Sequence, residues 1–303
     1  MSAAQSIEPG TAPRINFRNI LLATDFSPAS ETALVYATAI ARRYDAKMYV
    51  AHVIKSDAYQ LVPAEAMSAT QQQTWRYAEQ QMTDLLISGR LRGIQHQVLL
   101  KQGEVWEVLE QVVQAHDVNL VVLGTRGRTG LRKLILGSTA EEVFRLSPVP
   151  MLTVGPKVVK DTELRLGNIL YATNFRPNSL AAAPYAFSLA RENGARLTML
   201  HVVTEAAPAL AEEMQRVTDH YLDCLQEIVP GDFPQDPELV VKFGAPAETI
   251  LKVAEEKNAD LIVIGVRPVE DEKEQLPPPK AYRLVCSSRC PVLTVRGKIR
   301  KQQ

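Results

Sequence analysis

The sequence predicts an α/β protein in which one domain, built on a mostly parallel sheet, occurs twice in tandem. Two observations carry this prediction. Short apolar runs rich in β-branched residues alternate with helical patterns, and this alternation is typical of parallel strands covered by helices on both faces. The same blocks of sequence also recur at nearly constant spacing along the 303 residues. We therefore expect two doubly wound sheets rather than one large domain.

The first copy opens with an apolar run, Asn19–Asp25, that predicts a strand ending in a polar turn. A helix is expected directly afterwards, because Ser27 is a good N-cap and Pro28 fits the first helical position. The run Lys47–Ile54 then predicts a second strand. The opening unit is therefore strand, turn, helix and strand.

This opening unit, residues 19–54, recurs as residues 168–203 at an offset of 149 positions. A later block, residues 101–124, recurs as residues 242–265 at an offset of 141. The first copy therefore carries eight extra residues between the two blocks, in a region where 71–87 predicts a polar helix. The chain is an internal duplication of one domain.

Each copy ends in a short apolar strand, Met151–Val154 in the first and Val292–Val295 in the second. An apolar strand at the edge of a sheet invites pairing with another edge, so we expect the copies to pair within the chain as a pseudo-dimer. Association of two chains into a homodimer is left open. The predicted layout is a flexible leader at 1–15, a first domain at 16–156 and a second at 165–297.

Composition and charge disfavour several classes of function. The formal net charge is zero, so no overall field draws the chain to nucleic acid or to an anionic membrane. The longest apolar runs are strand-sized, too short for a bilayer, and the N-terminal residues lack a secretory signal pattern. The odd cysteine count argues against a disulfide framework, which predicts a cytoplasmic protein with buried or neutral thiols at Cys224, Cys286 and Cys290.

A glycine-rich segment after the apolar run Leu120–Leu123 is the strongest functional signal. Gly124 and Gly127 are followed, after nine further residues, by Gly137–Thr139 and then by a helical pattern that includes Glu141. The order of strand, glycine loop and helix N-terminus places backbone N–H groups where a phosphate can approach without meeting a Cβ. We interpret the segment as a nucleotide phosphate cradle.

The spacing Gly-x2-Gly-x9-Gly-Ser, with Ala-Thr-Asp-Phe-Ser upstream at 23–27 and His-Val-Ile at 52–54, resembles the universal stress protein family. The resemblance covers nearly the whole chain, once in each half. It implies a Rossmann-like fold of the adenine nucleotide alpha hydrolase type, with five strands per half. It also implies adenine nucleotide binding in a subset of members, and dimerisation through the last strand.

The resemblance further implies that ATP would bind the first copy, with Mg²⁺ or Mn²⁺ at most carried on the phosphates. Asp25 and its two preceding neighbours would meet the adenosine, and Val53 would line the adenine pocket. Position 23 departs from the family pattern, because some nucleotide-binding members have proline there. Arg128 belongs to a group of basic loop residues that would complement a triphosphate. The predicted binding residues are Ala23, Thr24, Asp25, Val53, Leu123, Gly124, Gly127, Arg128, Gly137, Ser138 and Thr139.

Structural roles compete with these assignments. The glycines can be simple turn residues, the basic loop residues can be solvated, and Asp25 can cap the helix that follows it. His52 and His201 occupy equivalent strand positions, and we interpret both as packed structural residues rather than ligands. Trp106 is most simply a core or interface aromatic.

The second copy keeps the length of the glycine loop and loses its chemistry. At the positions of Asp25, Gly127, Gly137, Ser138 and Thr139 it carries Asn174, Pro268, Pro278, Pro279 and Lys280. Proline has no N–H to donate to a phosphate, and the acidic run 270–274 would repel one. We therefore predict one nucleotide per chain, bound by the N-terminal copy.

Three functions compete. The first is an ATP-binding stress-response or regulatory protein whose nucleotide state controls binding to an unknown protein partner. The second is a slow ATPase or an autophosphorylating enzyme with Ser138 or Thr139 as acceptor. Against it, the chain has no Walker-type loop, and no histidine or carboxylate pair is placed by motif to activate water, so we name no catalytic residue. The third, a nucleotide-independent interaction module, is disfavoured by the intact first motif.

Overall fold

A computed structural model describes residues 15–55, 64–125, 138–159, 166–204, 210–267 and 279–297. Its N-terminal half contains β1 (Asn19–Ala23), α1 (Pro28–Tyr44), β2 (Lys47–Lys55), α2 (Ala64–Ile87), β3 (His96–Gly103), α3 (Val105–Ala115), β4 (Leu120–Gly124), α4 (Ser138–Leu146) and β5 (Met151–Val154). Its C-terminal half contains β6 (Asn168–Thr173), α5 (Pro177–Leu180), α6 (Ala183–Asn193), β7 (Arg196–Val203), α7 (Ala211–Gln226), β8 (Glu238–Phe243), α8 (Pro246–Glu256), β9 (Leu261–Val266), α9 (Pro279–Ser287) and β10 (Val292–Arg296).

The described strands form one ten-stranded sheet in the order β3-β2-β1-β4-β5-β10-β9-β6-β7-β8. Neighbouring strands are parallel except β5 and β10, which run antiparallel with Leu152 opposite Leu293. In each half the winding reverses once, between β1 and β4 and between β6 and β9. The predicted α/β class with two tandem, doubly wound halves is therefore confirmed, and the two five-stranded sheets are continuous with each other.

The start of α1 follows the local sequence closely. The Ser27 hydroxyl is the N-cap and accepts from the backbone N–H of Ser30 at 3.3 Å, while Pro28 occupies the first turn. The helix ends where Asp45 adopts a left-handed backbone (φ 49°) and donates its N–H to the Ala41 carbonyl. The predicted cap and helix start are both confirmed.

Two apolar layers, one on each face of the sheet, form the core. Successive residues of a strand alternate between the layers, so that Ile20 and Leu22 belong to one and Leu21 to the other. Both layers contain residues from both halves. The first layer, for example, contains Leu152 of the N-terminal half and Leu293 of the C-terminal half. The junction of the halves is therefore part of a common core, and the strands are apolar on both faces.

Side chains reinforce the pairing of β5 with β10. The Thr153 hydroxyl donates to the Val292 carbonyl at 3.1 Å, and the Thr294 hydroxyl donates to the Met151 carbonyl at 3.3 Å. This reciprocal pair follows from the duplication, because Thr153 and Thr294 are equivalent residues of the two copies. The two halves meet through the main chain, side chains and a shared core.

The structure refines the sequence expectations in the region of the insertion. The polar helix expected at 71–87 is longer and begins at Ala64; α2 has 24 residues against 16 in α7, which places the eight extra residues in this helix. None of the three cysteines, all of which the structure describes, forms a disulfide, and burial raises the pKa of the Cys290 thiol to about 11. Trp106 is a buried core residue, as expected. None of the described helices is both long and apolar enough to cross a bilayer.

Candidate functional site

The carboxyl ends of β1, β2 and β4 meet at the point where the winding of the N-terminal half reverses, which is where open α/β sheets bind ligands. Ala23 on β1 is in register with Leu123 on β4. Val53 lies near the end of β2, two residues beyond Ala51, the β2 partner of Ala23. The side chains of Ala23, Val53 and Leu123 all pack in the apolar layer on one face of the sheet. Three of the predicted binding residues are thus brought together.

The turn from β1 to α1 is held by a compact set of hydrogen bonds. Asp25 Oδ1 accepts from the Ser27 N–H at 3.0 Å and from the Ser30 hydroxyl at 2.6 Å. The Thr24 hydroxyl accepts from the N–H of Phe26, whose backbone is left-handed (φ 60°). One carboxylate oxygen of Asp25 therefore supports the turn, as the helix-capping alternative proposed.

The equivalent turn in the C-terminal half keeps part of this hydrogen-bond set without the charge. The hydroxyl of Ser179, the equivalent of Ser30, donates to the Arg176 carbonyl at 2.9 Å rather than to Asn174. Asn174 Oδ1 accepts from the Arg176 N–H at 3.2 Å, and its own N–H donates to the Ser179 hydroxyl at 3.3 Å, as Asp25 N–H does to Ser30. Phe175 is again left-handed, with φ 60°. A neutral Asn174 therefore supports a turn of this kind in the C-terminal half, without the second bond that the Asp25 carboxylate accepts from Ser30.

The two equivalent histidines hold these turns from β2 and β7. His52 Nδ1 donates to the Thr24 carbonyl at 2.8 Å, and His201 Nδ1 donates to the Thr173 carbonyl at 2.9 Å. Each ring also packs against the left-handed phenylalanine of its turn, with centroid distances of 4.7 and 4.6 Å. Burial lowers the pKa of His201, so its imidazole is held neutral. The predicted structural role of both histidines is confirmed.

Gly124 and its equivalent Gly265 are required by helix packing. A Cβ on Gly124 would lie 2.6 Å from the backbone carbonyl carbon of Ala29, in the first turn of α1. A Cβ on Gly265 would lie 1.9 Å from the Asn178 carbonyl oxygen, in α5. Both positions therefore require glycine because a helix N-terminus contacts the end of the strand. The requirement does not depend on the loop that follows, whose glycines are present in the first copy and replaced in the second.

Thr125, directly after β4, is a feature that the sequence analysis missed. Its side chain is 1% exposed, and within the part of the chain that the structure describes its hydroxyl has no hydrogen-bond partner. An unsatisfied buried hydroxyl costs about 1–3 kcal/mol. The equivalent residue of the other half is Val266, which is buried and has the same shape without the hydroxyl. That Thr-to-Val difference between the copies was the available signal.

Part of the predicted phosphate cradle lies outside the described residues, namely Gly127, Arg128 and Gly137. Ser138 and Thr139 begin α4, and their side chains are likewise outside the description. Ala140, in the first turn of α4, packs in the same apolar layer as Ala23, Val53 and Leu123. The N-terminus of α4 therefore starts above the face of the sheet that carries the other predicted binding residues.

The described residues offer no ready-made metal centre. Over the described ranges, no group of three or more histidine, cysteine, aspartate or glutamate side chains converges with a geometry that could hold an ion. The polar groups at this edge are the Asp25 carboxylate, the Thr24 and Thr125 hydroxyls and the backbone of the β1–α1 turn. The carboxylate can accept hydrogen bonds from ligand hydroxyl or amine groups, and the hydroxyls and backbone N–H groups can donate to ligand oxygens.

A model of the universal stress protein family matches this chain twice, over residues 16–155 and 166–296. A universal stress protein of Mycolicibacterium smegmatis is 26% identical over 291 residues, which cover 92% of this chain and 97% of the relative. A universal stress protein of Methanocaldococcus jannaschii is 30% identical over 155 residues, 46% of this chain and 82% of the relative.

Solved structures show the same fold over the full length. A universal stress protein from Archaeoglobus fulgidus superposes with a TM-score of 0.72 at 21% identity, covering 94% of this chain and 98% of that one. The similarity extends through both halves, in agreement with the two matches of the family model. The chain belongs to the universal stress protein family, as a tandem member with two copies of the family domain.

Proposed function

We propose that the N-terminal half binds one adenine nucleotide, ATP, and that the protein acts as a nucleotide-dependent regulator in the stress response. The observation that carries this proposal is a difference between two equivalent sets of residues. Each half has the same frame, which consists of the turn after its first strand (24–27 and 173–176), the histidine that supports it and the end of the fourth strand. The N-terminal frame carries a carboxylate at Asp25 and a buried hydroxyl at Thr125, where the C-terminal frame carries Asn174 and Val266. A frame kept in both halves serves folding, whereas groups confined to one half serve a ligand.

The residues at this edge suit the parts of an adenine nucleotide. The apolar surface of Ala23, Val53 and Leu123 is suited to the base, and the Asp25 carboxylate is suited to accept hydrogen bonds from ribose hydroxyls. The N-terminus of α4, with Ser138 and Thr139, suits the phosphates because helix N-termini attract anions. The remaining proposed contacts are Thr24, Gly124, Gly127, Arg128 and Gly137.

The Thr125 hydroxyl fits a bound ligand as well. A buried hydroxyl to which the described residues offer no partner is unfavourable, and an oxygen of a bound nucleotide would satisfy it. Mg²⁺ or Mn²⁺ would arrive on the phosphates rather than in a cage of protein ligands. In this proposal the protein acts in the cytoplasm, where ATP binding controls its interaction with a protein partner. The two family domains comprise residues 16–156 and 165–297.

The sharpest test of the site is the pair Asp25→Asn and Asn174→Asp, which exchanges the residues of the two halves. Because Asn174 accepts the equivalent backbone bond in its own turn, Asp25→Asn is expected to fold. It should weaken ATP binding by about tenfold or more through loss of a charged hydrogen bond. Asn174→Asp is the matched control and should leave affinity unchanged. Calorimetric titration with ATP measures both, with thermal unfolding to verify folding.

The same titration tests the number of sites. One nucleotide per chain is expected, and two per chain, or equal losses in the two variants, would contradict the proposal. Competition by ADP, AMP and a cyclic nucleotide defines which phosphates matter. Phosphate release by wild type and by Gly137→Ala separates binding from hydrolysis, because turnover that depends on the glycine motif would favour the ATPase alternative.

A further inference from the structure

Arg296, the last residue of β10, reaches out of the C-terminal half to the end of α4 in the N-terminal half. Its Nη2 donates to the Phe144 carbonyl at 2.6 Å, and its Nε donates to the Ser147 carbonyl at 3.0 Å. The third bond, from Nη1, reaches the Arg267 carbonyl at 2.8 Å, just after β9. One guanidinium thus joins the last turn of α4 to the strand end that precedes the altered loop of the C-terminal half.

The end of α4 needs such a donor. In a regular helix the Phe144 carbonyl would accept from residue 148, but residue 148 is a proline and has no N–H. A cation at a helix C-terminus also interacts favourably with the helix dipole. The side chain is largely buried, and burial lowers the pKa of the Arg296 guanidinium without removing its charge. Arg296 is therefore a C-cap for α4 supplied by the other half.

The duplication provides an internal comparison for this contact. The equivalents of Phe144 and Ser147 are Val285 and Ser288, at the end of α9, and the equivalent of Arg296 is Gly155. A Cβ on Gly155 would lie 2.8 Å from the Val285 carbonyl oxygen and 3.4 Å from that of Ser288. Position 289 is arginine, which has an N–H, where 148 is proline. The side-chain clamp thus serves only the helix that follows the intact glycine motif.

We propose that Arg296 is a positioning residue for nucleotide phosphates, through which the C-terminal half holds α4 in place. This inference rests on the proposed function. The N-terminus of α4 is the proposed phosphate site, and α4 is a helix of only nine residues, so its far end sets the position of its first turn. The C-terminal half, whose own loop carries proline and acid, keeps a role by supporting the site of its neighbour.

Phosphate dependence separates this role from simple adhesion between the halves. If Arg296 acts through α4, its loss weakens ligands in proportion to their phosphates, so ATP is affected and adenosine is not. If it only holds the halves together, both ligands change alike. Tyr44→Phe is the matched control, because the Tyr44 hydroxyl donates to Glu192 of the other half from the opposite face of the sheet.

The experiment is a calorimetric titration of ATP and adenosine into the full chain as wild type, Arg296→Met, Arg296→Lys and Tyr44→Phe. We expect Arg296→Met to weaken ATP binding by about fivefold or more, which is the usual range for coupling between two sites. The affinity for adenosine should not change. Arg296→Lys should lose less ATP affinity, since one ammonium can still cap one carbonyl. This variant replaces Arg296→Met in the test if the methionine variant fails to fold. Tyr44→Phe should change neither ligand.

Hydrogen exchange provides the reciprocal measurement. ATP is expected to slow exchange of backbone amides in 140–147 in wild type and to do so less in Arg296→Met, because coupling of two sites acts in both directions. Unchanged ATP affinity in Arg296→Met and Arg296→Lys, or equal losses for ATP and adenosine, would overturn the positioning role while leaving nucleotide binding intact. Failure of wild type to bind either ligand would refute the proposed function and this inference with it.

Discussion

The turns that follow β1 and β6 share three hydrogen bonds donated by the backbone, a left-handed phenylalanine and a supporting histidine. They differ in charge and in the acceptor of the serine hydroxyl, which is Asp25 in the first turn and the Arg176 carbonyl in the second. Asp25 in the first turn and Asn174 in the second accept equivalent bonds from the backbone of their turns. The duplicated copies have therefore preserved the backbone pattern of the turn and exchanged a charged carboxylate for a neutral amide. The comparison identifies the carboxylate as the feature of the first turn that the second copy lacks.

The glycines of the motif divide in the same way. Gly124 and Gly265 are both present because a helix N-terminus touches each of them. Gly127 and Gly137, by contrast, are replaced by Pro268 and Pro278 in the second copy. Packing alone explains why Gly124 is a glycine, whereas it does not explain Gly127 and Gly137, whose loss from the second copy is the sequence difference on which the phosphate proposal rests.

The largest expected effect comes from substitutions that disrupt the contact between a glycine and a helix N-terminus in each half. Gly265→Ala would push a Cβ against the main chain of Asn178, which cannot move aside, and we expect a loss of about 3 kcal/mol or more in the free energy of unfolding. Gly124→Ala, with a longer closest approach of 2.6 Å, should lose about 2 kcal/mol. Urea unfolding measures both.

Gly231→Ala is the control for these substitutions, because no described atom beyond its two chain neighbours lies within 4 Å of the added Cβ. It should change stability by less than about 0.5 kcal/mol. If the three alanine variants unfold at the same urea concentration, the packing explanation of Gly124 and Gly265 is wrong. For the same reason, Gly265→Ala is unsuitable as a neutral control in a binding assay.

An intermediate effect is expected where the halves differ by one hydroxyl. Thr125→Val removes a buried hydroxyl that has no partner among the described residues. The free protein should therefore gain about 1 kcal/mol of stability, while ATP affinity should fall about fivefold. The reverse change, Val266→Thr, should cost about 1–3 kcal/mol and create no second site. Urea unfolding and ATP titration of both variants check these opposite signs. A loss of stability in Thr125→Val would contradict the assignment.

The smallest expected effect is a change in how the free energy of unfolding depends on pH, through His201 in the C-terminal half. Burial lowers the pKa of His201 in the folded state, so below the ordinary value of 6.5 the unfolded chain binds more protons. The free energy of unfolding should therefore fall as the pH drops from 6.5 to the lowered pKa, and remain unaffected by this group above 6.5. His201→Gln should reduce that acid sensitivity.

The measurement is the urea midpoint of wild type and His201→Gln at pH 7.5 and pH 5.5. His220→Gln, which removes an exposed imidazole from α7, is the matched control and should keep the sensitivity of wild type. If His201→Gln and wild type lose the same stability on acidification, burial of His201 is not its cause.

Much of the fold could be predicted because its determinants are local. Ser27 and Pro28 define the start of α1 through capping rules, and the apolar runs define the strands. The grouping of Ala23, Val53 and Leu123 also follows from sequence, since the carboxyl ends of parallel strands share one edge. Thr125 was missed because its hydroxyl is unusual only once its burial is known.

By itself, the sequence determined the duplication, the α/β class and the replacement of the glycine motif by prolines in the second copy, because all three follow from periodicity, spacing and a comparison of the copies. Tertiary structure alone decided why Gly124 and Gly265 are glycines, that the Thr125 hydroxyl is buried, and that Arg296 caps α4. These depend on atoms from distant parts of the chain: 152 residues separate Arg296 from Phe144, and no local pattern records that contact.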